Sequence, residues 1–437
     1  MPDQMHQQLH DYMARMRWFG GKGREFSVVE VTSLPLNLNV VTIEYADGER
    51  ELYQVPLSSY DDPRDDLAHA LVGDWDGHWH YDAVHDRDAT HPWLEAIAAG
   101  AAGEGVQAVR VDGHEFDLDA HSTLFGGEQS NSSLAFGEDS MFKLFRRLTP
   151  GVNPDIEIHE ALTRAQSTHV AALYGWIEAG DLQLGLLQQF LRTSTVGWEL
   201  ALASVRNLFV EEDLHPEDVG GDFASEAHRL GVAVAEVHQT MREQMPTATI
   251  SGREIADRMR TRLEEVSTQV PALAELRGRL QASYDHVATT DVPAQRIHAD
   301  LHLGQTLRTS LGWKLVDFEG EPARLLSERS LPDTPWRDVA GMLRSFDYAA
   351  RVVQADVSAA PDLAAQLAHR ADEWVGRNRG AFLDGYQEAY GDLTPADRAL
   401  IRAFEADKAV YEVLYEARNR PSWIGIPLNA LQRLLEA

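Results

Sequence analysis

The run His298-Ala299-Asp300-Leu301-His302-Leu303-Gly304-Gln305 is followed, 17 positions after Asp300, by Asp317-Phe318-Glu319. Phosphoryl transfer to an alcohol needs a carboxylate that orients the hydroxyl and accepts its proton, and oxygen ligands that hold Mg²⁺ on the phosphates. In that reading Asp300 is the catalytic base and touches the acceptor. Gln305 stands at the amide metal position, and Asp317 supplies the metal carboxylate. Two departures from the H-x-D-x-x-x-x-N and D-F-G pattern are visible. Gln305 carries one methylene more than Asn, so it must reach a metal with different geometry. Glu319 replaces the glycine of D-F-G, which argues against a flipping loop and gives Glu319 an outer or structural role. His298 is expected to brace the loop by hydrogen bonds, whereas His302 either lines the acceptor pocket or is structural.

A second constellation lies upstream. Lys143 sits mid-strand in Met141-Phe142-Lys143-Leu144-Phe145, where a buried lysine is costly unless paired. A strand lysine of this kind holds the α- and β-phosphates of ATP and pairs with a helix glutamate. Asn153-Pro154-Asp155-Ile156-Glu157-Ile158-His159-Glu160 opens a helix; Glu157 is the expected partner and Glu160 the alternative. The competing reading turns Lys143 to solvent on an edge strand. Phe125-Gly126-Gly127-Glu128-Gln129-Ser130-Asn131-Ser132-Ser133 takes the place of a phosphate-covering loop, with Ser130 and Ser132 offering hydroxyls, though it is not G-x-G-x-x-G. Gln189 and Leu191 end the following strand, where backbone groups would meet adenine. Arg17 to Arg24 lacks the G-x-x-x-x-G-K-[ST] spacing and reads as a tightly turned, packed Arg-Trp pair.

Near the C-terminus, Tyr411 to Trp423 offers an acceptor surface. On a helix Glu412, Tyr415, Glu416 and Asn419 share one face, with Trp423 just beyond. Carboxylates beside aromatic rings suit the hydroxyls and C–H face of a pyranose, and a carboxylate also suits an ammonium group. A solvated face with Arg418 and Arg420 as salt-bridge partners is the plain alternative.

Elements of both periods must position these residues. Val40 to Tyr45 and Leu52 to Val55 alternate across Asp47-Gly48, a hairpin signal; Leu134 to Phe136 and Met141 to Phe145 flank Gly137-Glu138-Asp139. Gly73 to His91, crowded with Asp, His and Gly, reads as a connection. Leu182 to Leu191 reads as a strand. Leu230, Val234, Val237 and Met241, then Ile255, Met259, Leu263 and Val266, mark one-face helices. Gln305 to Leu307 and Lys314 to Phe318 form a short hairpin between helices. This order divides the chain into residues 1–90, a small α+β unit; 91–192, strand-rich; and 193–437, mainly helical.

The whole chain limits the partners. Its 437 residues include 39 Lys plus Arg against 69 Asp plus Glu, a formal charge of −30 that makes nucleic acid and anionic membranes poor partners. Cysteine is absent, which excludes disulfides, zinc thiolates and cysteine nucleophiles. No apolar h-region opens the chain, and no stretch approaches the roughly 20 apolar residues of a membrane span. A cytoplasmic setting is expected; the oligomeric state is not readable, with a monomer the expectation.

Taken together, Arg17–Arg24, Glu128-Gln129-Ser130-Asn131, Phe145-Arg146-Arg147 with Asn153–Glu157, His298–Gln305, Asp317–Pro322 and Tyr411–Trp423 resemble the actinobacterial maltokinase-like sugar kinases of the aminoglycoside phosphotransferase-like superfamily. The resemblance implies an α+β, bilobal protein-kinase-like fold with an N-terminal cap subdomain at 1–90, an ATP-binding N-lobe at 91–192 and a helical C-lobe at 193–437. It also implies ATP and Mg²⁺ dependence and a small sugar as acceptor. Ala299, where maltokinases commonly have Gly, makes the chain similar to the glucosamine kinases, which phosphorylate the 6-hydroxyl of glucosamine. Glu412 and Glu416 would suit its 2-amino group. A maltokinase making maltose 1-phosphate is the alternative, followed by an aminoglycoside phosphotransferase and a non-catalytic nucleotide-binding regulator.

Overall fold

A computed structural model describes residues 2–126, 130–211, 215–289, 291–321, 326–357 and 361–436. The chain forms two compact units. One comprises Met1–Glu160 and Ala171–Arg192, the other Ala161–Val170 and Thr193–Ala437. Helix and sheet are mixed, as expected.

In the first unit, helix Pro2–Arg15 packs with strands Phe26–Ser33, Asn39–Tyr45 and Arg50–Gln54 around Leu9, Met13, Val41, Ile43 and Tyr53. Asp47-Gly48 joins the second and third of these strands, in the register Val40↔Gln54 to Glu44↔Arg50. The segment Gly73 to His91 is not a connection. It contains strands Leu71–Trp75 and His78–Asp82 and the first turn of helix Arg87–Ala99. Asp76 and Gly77 turn the hairpin with φ of 52° and 83°, a primed turn of the kind a D-G pair favours. The polar composition hid the strands because their outer faces carry Asp and His.

A seven-stranded sheet forms the rest of this unit, in the order 102–103, 106–110, 173–179, 182–189, 140–145, 131–136, 122–125. Strand Ser140–Phe145 lies inside it, between Asn131–Phe136 and Leu182–Gln189. That interior position rules out the solvent-facing edge lysine. Directly after this strand, Arg147 and Leu148 pair with Tyr53 and Leu52, so one chain segment feeds two sheets. Arg146 between them is buried and donates to Asp82 (2.7 Å), to the Gln54 carbonyl (3.3 Å) and to Ser132 Oγ (2.8 Å). It also covers the Trp18 ring at 4.8 Å. The cation on Trp18 is therefore Arg146, whereas Arg17 is exposed.

The second unit is mainly helical. Helices Ala224–Gln244 and Gly252–Gln269 bury the two predicted stripes. Strands Thr306–Thr309 and Gly312–Leu315 form the expected hairpin and add Ser194–Val196 as a third strand. Three long helices follow: Trp336–Asp356, Pro361–Tyr390 and Pro395–Asn419. The last begins with a Thr394/Asp397 capping box and Pro395 in its first turn, a strong local start signal. No helix among the described residues is long and apolar enough to cross a membrane.

Candidate active site

The loop carrying Asp300 is built by long-range contacts. Ala299 has φ of 69°, a left-handed conformation that a non-glycine residue holds only when its surroundings fix it. Asp338, buried at the start of helix Trp336–Asp356, supplies the fixing. Its Oδ2 accepts from the His298 N–H at 2.7 Å and its Oδ1 from the Ala299 N–H at 2.9 Å. His238 holds the same carboxylate at 3.1 Å and is itself tied to the Tyr386 hydroxyl at 3.0 Å. Burial alone would raise the pKa of Asp338, but the His238 hydrogen bond and charge lead a set of opposing effects that bring it below the usual carboxylate value. Past Asp300, the Leu303 N–H donates to Ser345 Oγ at 3.1 Å. Gly341 lies against the loop, where an added Cβ would stand 2.6 Å from the Leu301 carbonyl oxygen.

His298 braces the loop. Its Nε2 meets the Val316 carbonyl at 3.0 Å and its ring packs on Phe318 at 4.8 Å. His302 caps the short turn Leu303–Gln305, accepting from the Gly304 N–H at Nδ1 over 3.0 Å. Burial holds the His302 imidazole below its usual pKa; Asp300 opposes this, while Lys408 and His298 add to it. An accepting Nδ1 and a lowered pKa agree on a neutral ring.

Gln305 and Asp317 come together: Gln305 Nε2 donates to Asp317 Oδ2 at 2.9 Å. The Val316 N–H donates to the Gln305 carbonyl at 3.1 Å, so the hairpin itself sets this pair side by side. Asp317 also has a left-handed φ of 69°. An amide oxygen and a carboxylate are hard donors, a set that fits Mg²⁺.

In the first unit Lys143 is 8% exposed and lies opposite Ser133 and Leu186. Its Nζ meets Asp155 Oδ2 at 3.0 Å. Asn153 caps the helix by accepting from the Asp155 N–H at 2.8 Å, and Pro154 begins the helix, so Asp155 lies in its first turn. His159 Nδ1 lies 3.0 Å from Asp155 Oδ1. Burial opposes ionisation of Asp155, yet Lys143 and His159 hold its carboxyl well below the usual range. The sequence expectation chose Glu157 as the lysine's partner. Asp155 is a carboxylate that closes on Lys143, and Glu157 is half-buried, about 200° around the helix from it.

The proposed hydroxyls divide. Ser132 accepts from Arg146 Nε and, one residue out of register with Lys143, stands on the other face of the strand. The Ser132 hydroxyl is thus engaged by Arg146 on the face away from Lys143. Ser133, directly across from Lys143, shares its face. Ser130 is exposed, while Gly127, Glu128 and Gln129 lie outside the described residues. The Gln189 N–H already donates to the Ala172 carbonyl at 2.8 Å, which leaves that donor committed within the sheet. Leu191 lies just past the strand's end.

The acceptor candidates lie on or just after helix Pro395–Asn419. Glu412 is held by the buried Arg344 at 2.6 Å; burial raises its pKa and Arg344 opposes this. Glu416 is buried and accepts from the Tyr348 hydroxyl and from Arg420 at 2.7 Å. Neither is the free surface acid that the sequence suggested. Glu416 Oε2, however, has no hydrogen-bond partner among the described residues. Tyr415 is 44% exposed, and Trp423 is half-buried with Arg420 over its ring at 4.3 Å.

Residues 12–86 match the maltokinase N-terminal cap domain family. A glucosamine kinase of Streptacidiphilus jiangxiensis is 28% identical over 371 residues, covering 78% of this chain and 76% of that protein. A glucosamine kinase of Mycolicibacterium smegmatis (strain ATCC 700084 / mc(2)155) is 26% identical over 337 residues, 71% of this chain and 78% of that one. The chain is thus similar to glucosamine kinases over about three quarters of its length and matches the maltokinase cap family at residues 12–86. A glucosamine kinase solved in complex with glucosamine, ADP and inorganic phosphate has the same fold, with a TM-score of 0.72 at 22% identity over 97% of this chain and 98% of that one. A second crystal structure of a glucosamine kinase (crystal form B) gives 0.72 over 94% of each.

Sequence reading missed Asp155, Asp338, His238, Arg344, Tyr348 and Lys408. Asp155 was within reach, two residues from Glu157 on a helix whose cap was legible. Lys408 had a signal too: it stands one turn before Glu412 on the same face. Asp338, His238, Arg344 and Tyr348 reach the site only through helix packing, and no spacing points to them.

Proposed function

We propose that this protein is an ATP- and Mg²⁺-dependent sugar kinase that converts glucosamine to glucosamine 6-phosphate, with Asp300 as the base. The observation that carries the reading is the loop geometry: Asp300 on a backbone locked by Asp338, with Gln305 five residues on and hydrogen-bonded to Asp317 at the base of the hairpin that follows. The acceptor hydroxyl oxygen forms the new bond to the γ-phosphorus, its proton passes to Asp300, and the bond to the bridging oxygen breaks with ADP leaving. Gln305 and Asp317 would hold Mg²⁺, which when bound neutralises charge on the phosphate oxygens. Lys143, oriented by Asp155, would bind the α- and β-phosphates. The unpartnered oxygen of Glu416 favours an amino sugar, as a buried carboxylate oxygen seeks a donor. Exposed Tyr415 and half-buried Trp423 would face the pyranose, with Glu412 and His302 behind.

In this reading residues 1–90 are the cap, 91–192 the ATP-binding lobe and 193–437 the lobe holding base and acceptor, in a cytoplasmic monomer. A maltokinase is the second reading, favoured by the cap match. ADP release from Mg-ATP with glucosamine and with maltose separates the two. Turnover confined to maltose overturns the glucosamine assignment, and turnover with neither sugar overturns both.

A further inference from the structure

Lys408 lies on helix Pro395–Asn419, four residues before Glu412, and its Nζ donates to Asp300 Oδ1 at 3.1 Å. It is half-buried, and its ammonium also faces the Tyr411 ring at 5.3 Å. Asp300 and Lys408 line a cavity of about 20 Å³, room for roughly one water, together with Glu321, Arg337, Arg262 and Asp407. The other cations of that wall are turned to other acids. Arg262 pairs with Asp407 at 2.8 Å, and Arg337 with Glu321 at 2.7 Å and Asp333 at 3.0 Å.

We infer that Lys408 is a positioning residue for the phosphoryl transfer, fixing Asp300 by one carboxylate oxygen so that Oδ2 is presented to the acceptor hydroxyl. The inference rests on Asp300 being the base. Helix and strand supports stop short of the Asp300 side chain: Asp338 fixes the backbone at residues 298 and 299, and Ser345 fixes residue 303. A carboxylate on a braced backbone still rotates about its two χ angles, and an ammonium at one oxygen removes that freedom. Lys408 remains a cation throughout: burial would lower its pKa, but Asp300, Glu412 and Glu321 raise it above the ordinary lysine value. It therefore keeps its proton while Asp300 exchanges one. The same helix carries the acceptor candidates Glu412, Tyr415 and Glu416, so Lys408 ties the orientation of the base to the surface that would hold the sugar.

The test is a double-mutant cycle on the full chain, read as ADP release with glucosamine and Mg-ATP. Lys408→Met should lower kcat about 10- to 100-fold while leaving the KM for both substrates within about twofold. Lys408→Arg should restore most of the rate. In an Asp300→Asn background the methionine change should cost less than about twofold, because the carboxylate it serves is gone. Equal losses in both backgrounds, or a wild-type kcat for Lys408→Met, overturn the inference. Lys408→Gln gives the same comparison if the methionine variant does not fold. Failure of both neutral variants to fold, with Lys408→Arg folded, places the charge in folding and also overturns it. If the wild type turns over but Asp300→Asn is equally active, the base assignment fails instead.

Discussion

The ion pair at Lys143 and the ion pair at Asp300 are nearly equal in length, 3.0 and 3.1 Å, and differ in almost everything else. Lys143 and Asp155 are 12 residues apart and both buried, on a strand and the first turn of a helix. Asp300 and Lys408 are 108 residues apart and half-buried, and the carboxylate stands on a loop with a left-handed backbone. The first pair is an expensive arrangement that must stay intact, since removing one partner takes an opposite charge away from an ion in the protein interior. The second is partly solvated and worth little in stability, so its value lies in orientation. In the proposed mechanism Lys143 has only to be in place on the phosphates, whereas Asp300 as the base must also exchange a proton, and partial solvation serves that exchange.

Asp300→Asn is the largest test of this contrast. It should lower kcat by about 10²- to 10⁴-fold while nucleotide binding, followed by calorimetry with ADP and Mg²⁺, is retained. Loss of folding with it would contradict the view that the Asp300 pair contributes orientation rather than stability.

The next test bears on the buried pair. Asp155→Ala should destabilise the protein by about 3–5 kcal/mol in urea titrations, because the buried Lys143 loses the carboxylate that meets it at 3.0 Å. The combined Lys143→Met and Asp155→Leu change should return stability to within about 1–2 kcal/mol of wild type, yet leave ATP affinity lost. If the double replacement stays as unstable as the single one, the lysine is not the source of the cost.

Ser132→Ala sharpens the same region at smaller scale. It removes the acceptor of Arg146 Nε and should cost about 1–3 kcal/mol, with the KM for ATP unchanged. Ser133→Ala should do the opposite, raising that KM with little effect on stability. A rise in KM with Ser132→Ala would return that hydroxyl to the phosphate site.

The smallest effect concerns acid. The folded pKa of Asp338 lies below its ordinary 3.8, so its stabilising contribution is complete above that value and lost as the pH falls through the folded one. Asp338→Asn should lower stability at neutral pH and flatten the decline between about pH 4 and pH 2, measured by urea unfolding at each pH. An acid limb as steep as that of the wild type would remove Asp338 from the set of titrating supports.

Asp300, Gln305 and Asp317 could be read because phosphoryl chemistry demands those residue types at short, fixed separations, and Lys143 because a lysine in mid-strand is costly unless paired. The hairpin at Asp47-Gly48 and the amphipathic helices could be read because their periods are local. The hairpin at Asp76-Gly77 could have been read as well, had its polar outer face not masked it. What decided the rest was packing. Whether Ser132 or Ser133 faces Lys143 depends on strand register, which a shift of one residue inverts. That Asp155 closes on the lysine depends on how the helix is rotated against the sheet. That Asp338 holds the Asp300 loop and Lys408 the Asp300 carboxylate depends on two helices brought in from 39 and 108 residues away. Sequence spacing determines which groups a loop carries, but their orientation comes from distant side chains whose positions exist only once the chain has folded.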